Sequence, residues 1–157
     1  MIKKVINIGS LFEISEKDIM DSIVFINIDS GCLIPEYILA EVYNNNPFIR
    51  NKLIKNTNKI NFNYVNKLIP TRHNLSNFIK LLEEKSKNIF YVSKNENLEK
   101  EELIKNLQEH NLPIKETIHF NKLNEIFTEK VIYIDSKVEE INVKANKIKI
   151  FKLNLFN

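Results

Sequence analysis

The six residues from Ile23 to Ile28, IVFINI, are apolar at odd and even positions alike, apart from Asn27. Successive side chains of a strand point to opposite faces, so a strand of this composition has to be covered on both. Such strands belong to parallel sheets, where crossover segments lie over each face. The rest of the chain fits that frame. Short β-branched or aromatic runs occur at Val5–Ile8, Ile89–Val92, Thr117–Phe120 and Val131–Ile134, and in the final IKIFKL segment, 148–153. Helical patterns separate them.

Those patterns carry their own start and stop signals. Ser15-Glu16-Lys17-Asp18 resembles a capping box and predicts one or two helical turns. Leu75, Phe78, Ile79, Leu81 and Leu82 recur at helical spacing, with Thr71 or Asn74 as cap. The segment LEKEELIKNLQEH, 98–110, has Asn97 before it and Pro113 beyond it. A short helix is expected near Leu123–Phe127, and a last one from Lys137 to Asn146. Strands alternating with helices predict an α/β, doubly wound parallel sheet in a single domain, residues 1–157. Residues 35–69 break this rhythm with polar, helical sequence and read as a small helical cap insertion.

Composition narrows the function classes. At 157 residues with 43% hydrophobic content, the chain is long enough to bury a core. A net charge of +3 and a pI near 8.8 are only mildly basic. Its lysines alternate with glutamates, the pattern of solvated helix faces, which argues against nucleic acid as a partner. No apolar run approaches the roughly 18–20 residues that span a bilayer. The start, MIKKVINIGSLFE, lacks the pattern of a secretory signal, and Cys32 is the sole cysteine. The expectation is a cytoplasmic protein with no membrane partner.

In open α/β sheets, ligands bind beyond the carboxyl ends of the strands. Asn27, Asp29, Ser93 and Asp135 fall there, and Lys122 follows soon after Thr117–Phe120. The segment SIVFINIDSGCL, 22–33, resembles the first motif of the haloacid dehalogenase (HAD) superfamily of phosphohydrolases, hhhhDxDx(T/V). TRHNLSNFIKLLEEKSKNIFYVSKN resembles its helix into motif two, and VIYIDSKVEEINVKANKIKIFKL its motif four with the helix and strand beyond. The likeness covers most of residues 22–155.

The resemblance implies a HAD-like fold and the following chemistry. An Asp attacks phosphorus, and the Asp two positions on protonates the leaving group and then activates water. Ser and Lys hold the phosphoryl oxygens, and Mg²⁺ takes carboxylate and carbonyl oxygens. Carried residue by residue, the catalytic positions are Asn27 and Asp29. The phosphate binders are Ser93 and Lys122, with Lys130 or Lys94 as the alternative lysine. The metal ligands are Asp29 and Asp135.

Two departures follow. Asn27 stands at the nucleophile position without an anionic oxygen. Ser136 stands where a second acid is common, with Glu139 or Glu140 one turn on. The expectation is an impaired member, a pseudo-phosphatase that keeps a phosphate site and binds Mg²⁺ weakly or not at all. Its partner would be a phosphorylated small molecule or macromolecule, and an oligomer is one way to cover an open site. The alternatives are an active Mg²⁺-dependent phosphatase using Asp29, and a non-catalytic interaction or regulatory domain.

The bland readings are ordinary ones. Asp-Ser-Gly is turn chemistry, and Ser93 and Asp135 stand where helix N-caps stand. His73, His110 and His119 are dispersed and read as surface or core residues. Tyr37, Tyr43, Phe48, Phe62 and Tyr64 read as a helical core of the insertion, with the lining of a substrate pocket or an interface as the alternative.

Overall fold

The apolar segment forms strand β2 (Ile23–Asn27), which lies inside a six-stranded sheet. The computed structural model describes residues 2–29, 31–35, 68–95, 99–137 and 140–154. β2 is flanked by β5 (Asn88–Ser93) on one side and β7 (Phe127–Asp135) on the other. Beyond β5 lies β6 (Thr117–His119). Beyond β7 lie β8 (Lys144–Leu153) and then β1 (Ile2–Ile8) at the edge. Every pairing in this sheet is parallel.

From β2 the chain winds outward through β5 to β6, crosses back to β7, and winds outward again to β8. This is the Rossmann-like, doubly wound order, with β1 in the sixth position. The two-faced pattern of β2 is met as expected. Val24, Ile26 and Ile28 belong to one apolar cluster, and Phe25 belongs to the other.

Right-handed crossovers put the outward winding to β6 on one face and the winding to β8 on the opposite one. The first face carries three helices: α1 (Glu16–Ile19), α2 (Leu75–Lys85) and α3 (Lys100–Glu109). Ser15 caps α1 by accepting from the Asp18 N–H at 3.2 Å, as its sequence signal predicts. α2 buries Leu75, Phe78, Ile79 and Leu82 against β2 and β5, each contributing about 1.5–3 kcal/mol. α3 ends in a Schellman motif. Asn111 takes a left-handed φ of 56°, and the Leu112 N–H reaches the Leu107 carbonyl at 2.8 Å. The residue at the start of α3 is Glu99, whose side chain makes no capping bond, whereas Asn97 lies outside the described residues.

The opposite face departs from the sequence expectation. The helix expected near Leu123–Phe127 is a 3-10 turn, Phe120–Glu125, and β7 already begins at Phe127. The helix expected over Lys137–Asn146 is absent from the described part of that span, and β8 starts at Lys144. The register explains why. Phe127 pairs with Lys144 and Asp135 with Lys152, so the connection 136–143 must carry the chain back by eight strand steps. That is about 26 Å, and a helix of this length would cover only about 12 Å. Residues 140–143 form a strap without helix, and it inserts Ile141 and Val143 among Phe25, Val131, Tyr133 and Ile148.

Two short strands, β3 (Leu33–Pro35) and β4 (Leu68–Pro70), pair antiparallel just beyond the carboxyl end of β2. Residues 36–67, most of the expected insertion, lie outside the described residues. Thr71 locks this ribbon. Its hydroxyl donates to the Gly31 and Cys32 carbonyls at 3.1 Å each, and its N–H to Cys32 at 2.9 Å. Arg72 then ties the ribbon to the carboxyl ends of β1 and β8 through the carbonyls of Gly9 and Asn154.

Candidate functional site

Winding reverses at β2, so the carboxyl ends of β2 and β7 form the switch point of the sheet. That is the position where doubly wound sheets bind ligands. Asn27 closes β2, and its Oδ1 accepts the Asp29 N–H at 3.0 Å, a local turn that an Asn or Asp side chain can make. The Cys32 N–H returns to the Asn27 carbonyl at 3.1 Å. Gly31 makes this tight return feasible. A Cβ there would lie 2.5 Å from the Asn27 carbonyl oxygen and 3.3 Å from that of Ile134.

Asp29 is buried, and one of its oxygens is fully engaged. Oδ2 accepts from Ser93 Oγ at 2.6 Å, from the Lys94 N–H at 2.9 Å and from the Asn95 N–H at 3.3 Å. Oδ1 is buried without a hydrogen-bond partner among the described residues. Burial pushes the Asp29 carboxyl above its ordinary value. The bonds from Ser93 and Lys94 pull it back, and nearby Asp135 adds to the rise. An orphaned carboxylate oxygen is costly in such a place, so a proton on Oδ1, or a donor from a ligand, would relieve it.

Asp135, at the end of β7, is wholly buried. Its Oδ1 accepts the N–H groups of Ser136 and Lys137 at 2.7 and 3.3 Å. Its Oδ2 receives the Tyr133 hydroxyl at 2.8 Å and the Lys94 ammonium at 3.2 Å. Tyr133 also engages the Asn27 side chain, and burial holds its phenol well above the ordinary value, hence protonated. Lys94 joins the halves of the site, since its N–H serves Asp29 and its ammonium serves Asp135. Its Nζ lies over the Phe120 ring, 4.8 Å from the centroid.

Asn27, Asp29, Ser93 and Asp135 therefore come together, as their positions at strand ends predict. Lys122 does not join them. It is an exposed residue of the 3-10 turn, and the ammonium in the crevice belongs to Lys94. Lys130 is engaged elsewhere, with the carbonyls of Lys17 and Met20. Ser136 is buried beside Asp135, Glu139 lies outside the described residues, and Glu140 is exposed. Sequence reasoning did not single out Tyr133, although it stands two residues before Asp135 and so shares its face of β7. Cys32 is buried, and burial pushes its thiol up to about 12, so it is no nucleophile.

A hard cation such as Mg²⁺ seeks about six oxygens. Here both Asp135 oxygens and one of Asp29 already accept hydrogen bonds, one of them from a lysine. No cluster of three or more His, Cys, Asp or Glu suited to a metal occurs among the described residues. As arranged, the donor set does not fit Mg²⁺, and no step is derived through it. No family model, curated protein or solved structure matches the chain.

Proposed function

We propose that this chain is a phosphate-ester-binding domain, similar to HAD phosphohydrolases but impaired at the catalytic step. The observation that carries the reading is the convergence of Asn27, Asp29, Ser93 and Asp135 around the Lys94 ammonium at the switch point of the sheet. Lys94 supplies the positive charge that attracts a phosphoryl group. When it carries a proton, Asp29 adds a donor at Oδ1 and loses a repelling charge. Asn27 stands where the attacking carboxylate would stand, and an amide has no anionic oxygen to form an aspartyl-phosphate. Binding and protonation are thus retained in this reading, and the covalent step is lost.

The test is direct. Purified protein with Mg²⁺ should leave p-nitrophenyl phosphate unhydrolysed, while Asn27→Asp, which preserves the turn acceptor, should gain turnover. Inorganic phosphate at a hundredfold excess over its Kd should raise the melting temperature by about 8 °C, and Lys94→Ala should abolish that rise. Turnover that survives Asn27→Ala and disappears in Asp29→Asn would overturn the impaired reading in favour of Asp29 acting on water. An absent shift would favour a domain without a phosphate site.

A further inference from the structure

Beside the crevice, between α3 and β6, lies a cavity of about 550 Å³ that shares Ser93 and Asn95 with the Asp29 site. Its size is that of a small-molecule pocket. Leu103, Ile104, Leu107 and Ile114 give it an apolar wall. Ser93, Asn95, Thr117 and His119 add polar groups to its lining.

We propose that this cavity receives the organic part of the bound phosphate ester, an apolar body of ring size. The inference rests on the phosphate reading of the Asp29–Lys94 site and adds the class of ester. Ser93 stands between the two sites. Its Oγ holds Asp29 on one side, and the residue lines the cavity on the other, so one ligand can reach both. The organic group then contributes affinity by leaving water, while the phosphoryl group fixes its position.

Calorimetric titration of the whole chain with inorganic phosphate, 1-naphthyl phosphate and 1-naphthol tests this. Naphthyl phosphate should bind at least about tenfold tighter than inorganic phosphate. That advantage should fall below about threefold in Thr117→Trp, which fills the cavity from an exposed position of β6, and in Ile104→Asp, which charges its wall. Equal affinities for the ester and the inorganic ion would overturn the cavity assignment and leave the phosphate site standing. Naphthol binding as tightly as its phosphate would also overturn it, because the cavity would then be uncoupled from the acid end. If neither phosphate binds, the phosphate reading itself fails and this inference with it.

Discussion

At the scale of single residues, the turn after β2 is held by close approach. Cys32 returns to the Asn27 carbonyl, and Gly31 sits where any Cβ would be 2.5 Å from that oxygen. Gly31→Ala should therefore destabilise the fold by about 1–3 kcal/mol in urea unfolding, as overpacking does. Stability equal to wild type would show that the turn can open at no cost. The residues of this turn were legible in the sequence, because a strand-ending Asn-x-Asp before Gly is a local signal. Lys94 was harder to choose. Nothing along the chain separates it from Lys122 or Lys130. Only the pairing of β5 beside β2, with β7 on the other side, brings Lys94 to Asp135.

At the scale of elements, the strap after β7 replaces a helix. Its two inward residues, Ile141 and Val143, are buried against Phe25 and Tyr133, while Asn142 between them is exposed. Ile141→Ala should cost about 2–4 kcal/mol through lost burial and a residual cavity. Asn142→Ala should stay within about 0.5 kcal/mol. Equal effects in chemical denaturation would mean the strap does not cover the sheet in this way. The sequence KVEEINVKAN suggests a helix by composition, yet Ile141 and Val143 are two apart, the spacing of an extended segment. The distance to be spanned decided between these readings, and that distance is set by the register of β7 and β8. The helices α2 and α3, by contrast, were legible because their apolar spacing has only one consistent period.

At the scale of the whole molecule, two carboxyls, the buried Asp29 and the partly exposed Asp18, tie stability to pH. Asp29 is raised, so between its ordinary value and its folded value the native state keeps a proton that the unfolded chain has released. Its contribution is fully present below the ordinary value and is lost as pH rises through the folded value. Burial also acts to raise Asp18, but the hydrogen bond and charge of Lys149 outweigh it and hold that carboxyl low. Its contribution is lost as pH falls instead. The stability of wild type minus that of Asp29→Asn should therefore decrease as pH rises from about 4. A difference that stays flat or increases would contradict the burial of an ionisable Asp29.

By itself the sequence determined that the sheet is parallel and covered on both faces, since β2 has no polar side to turn to water. It also determined that Asn27, Asp29, Ser93 and Asp135 lie at one end of that sheet, because each directly ends or follows a strand. Tertiary structure alone decided which lysine joins them, how the chain returns from β7 to β8, and that a cavity opens beside Ser93. These depend on strand order and register, which bring together residues dozens of positions apart and leave no local trace in the chain.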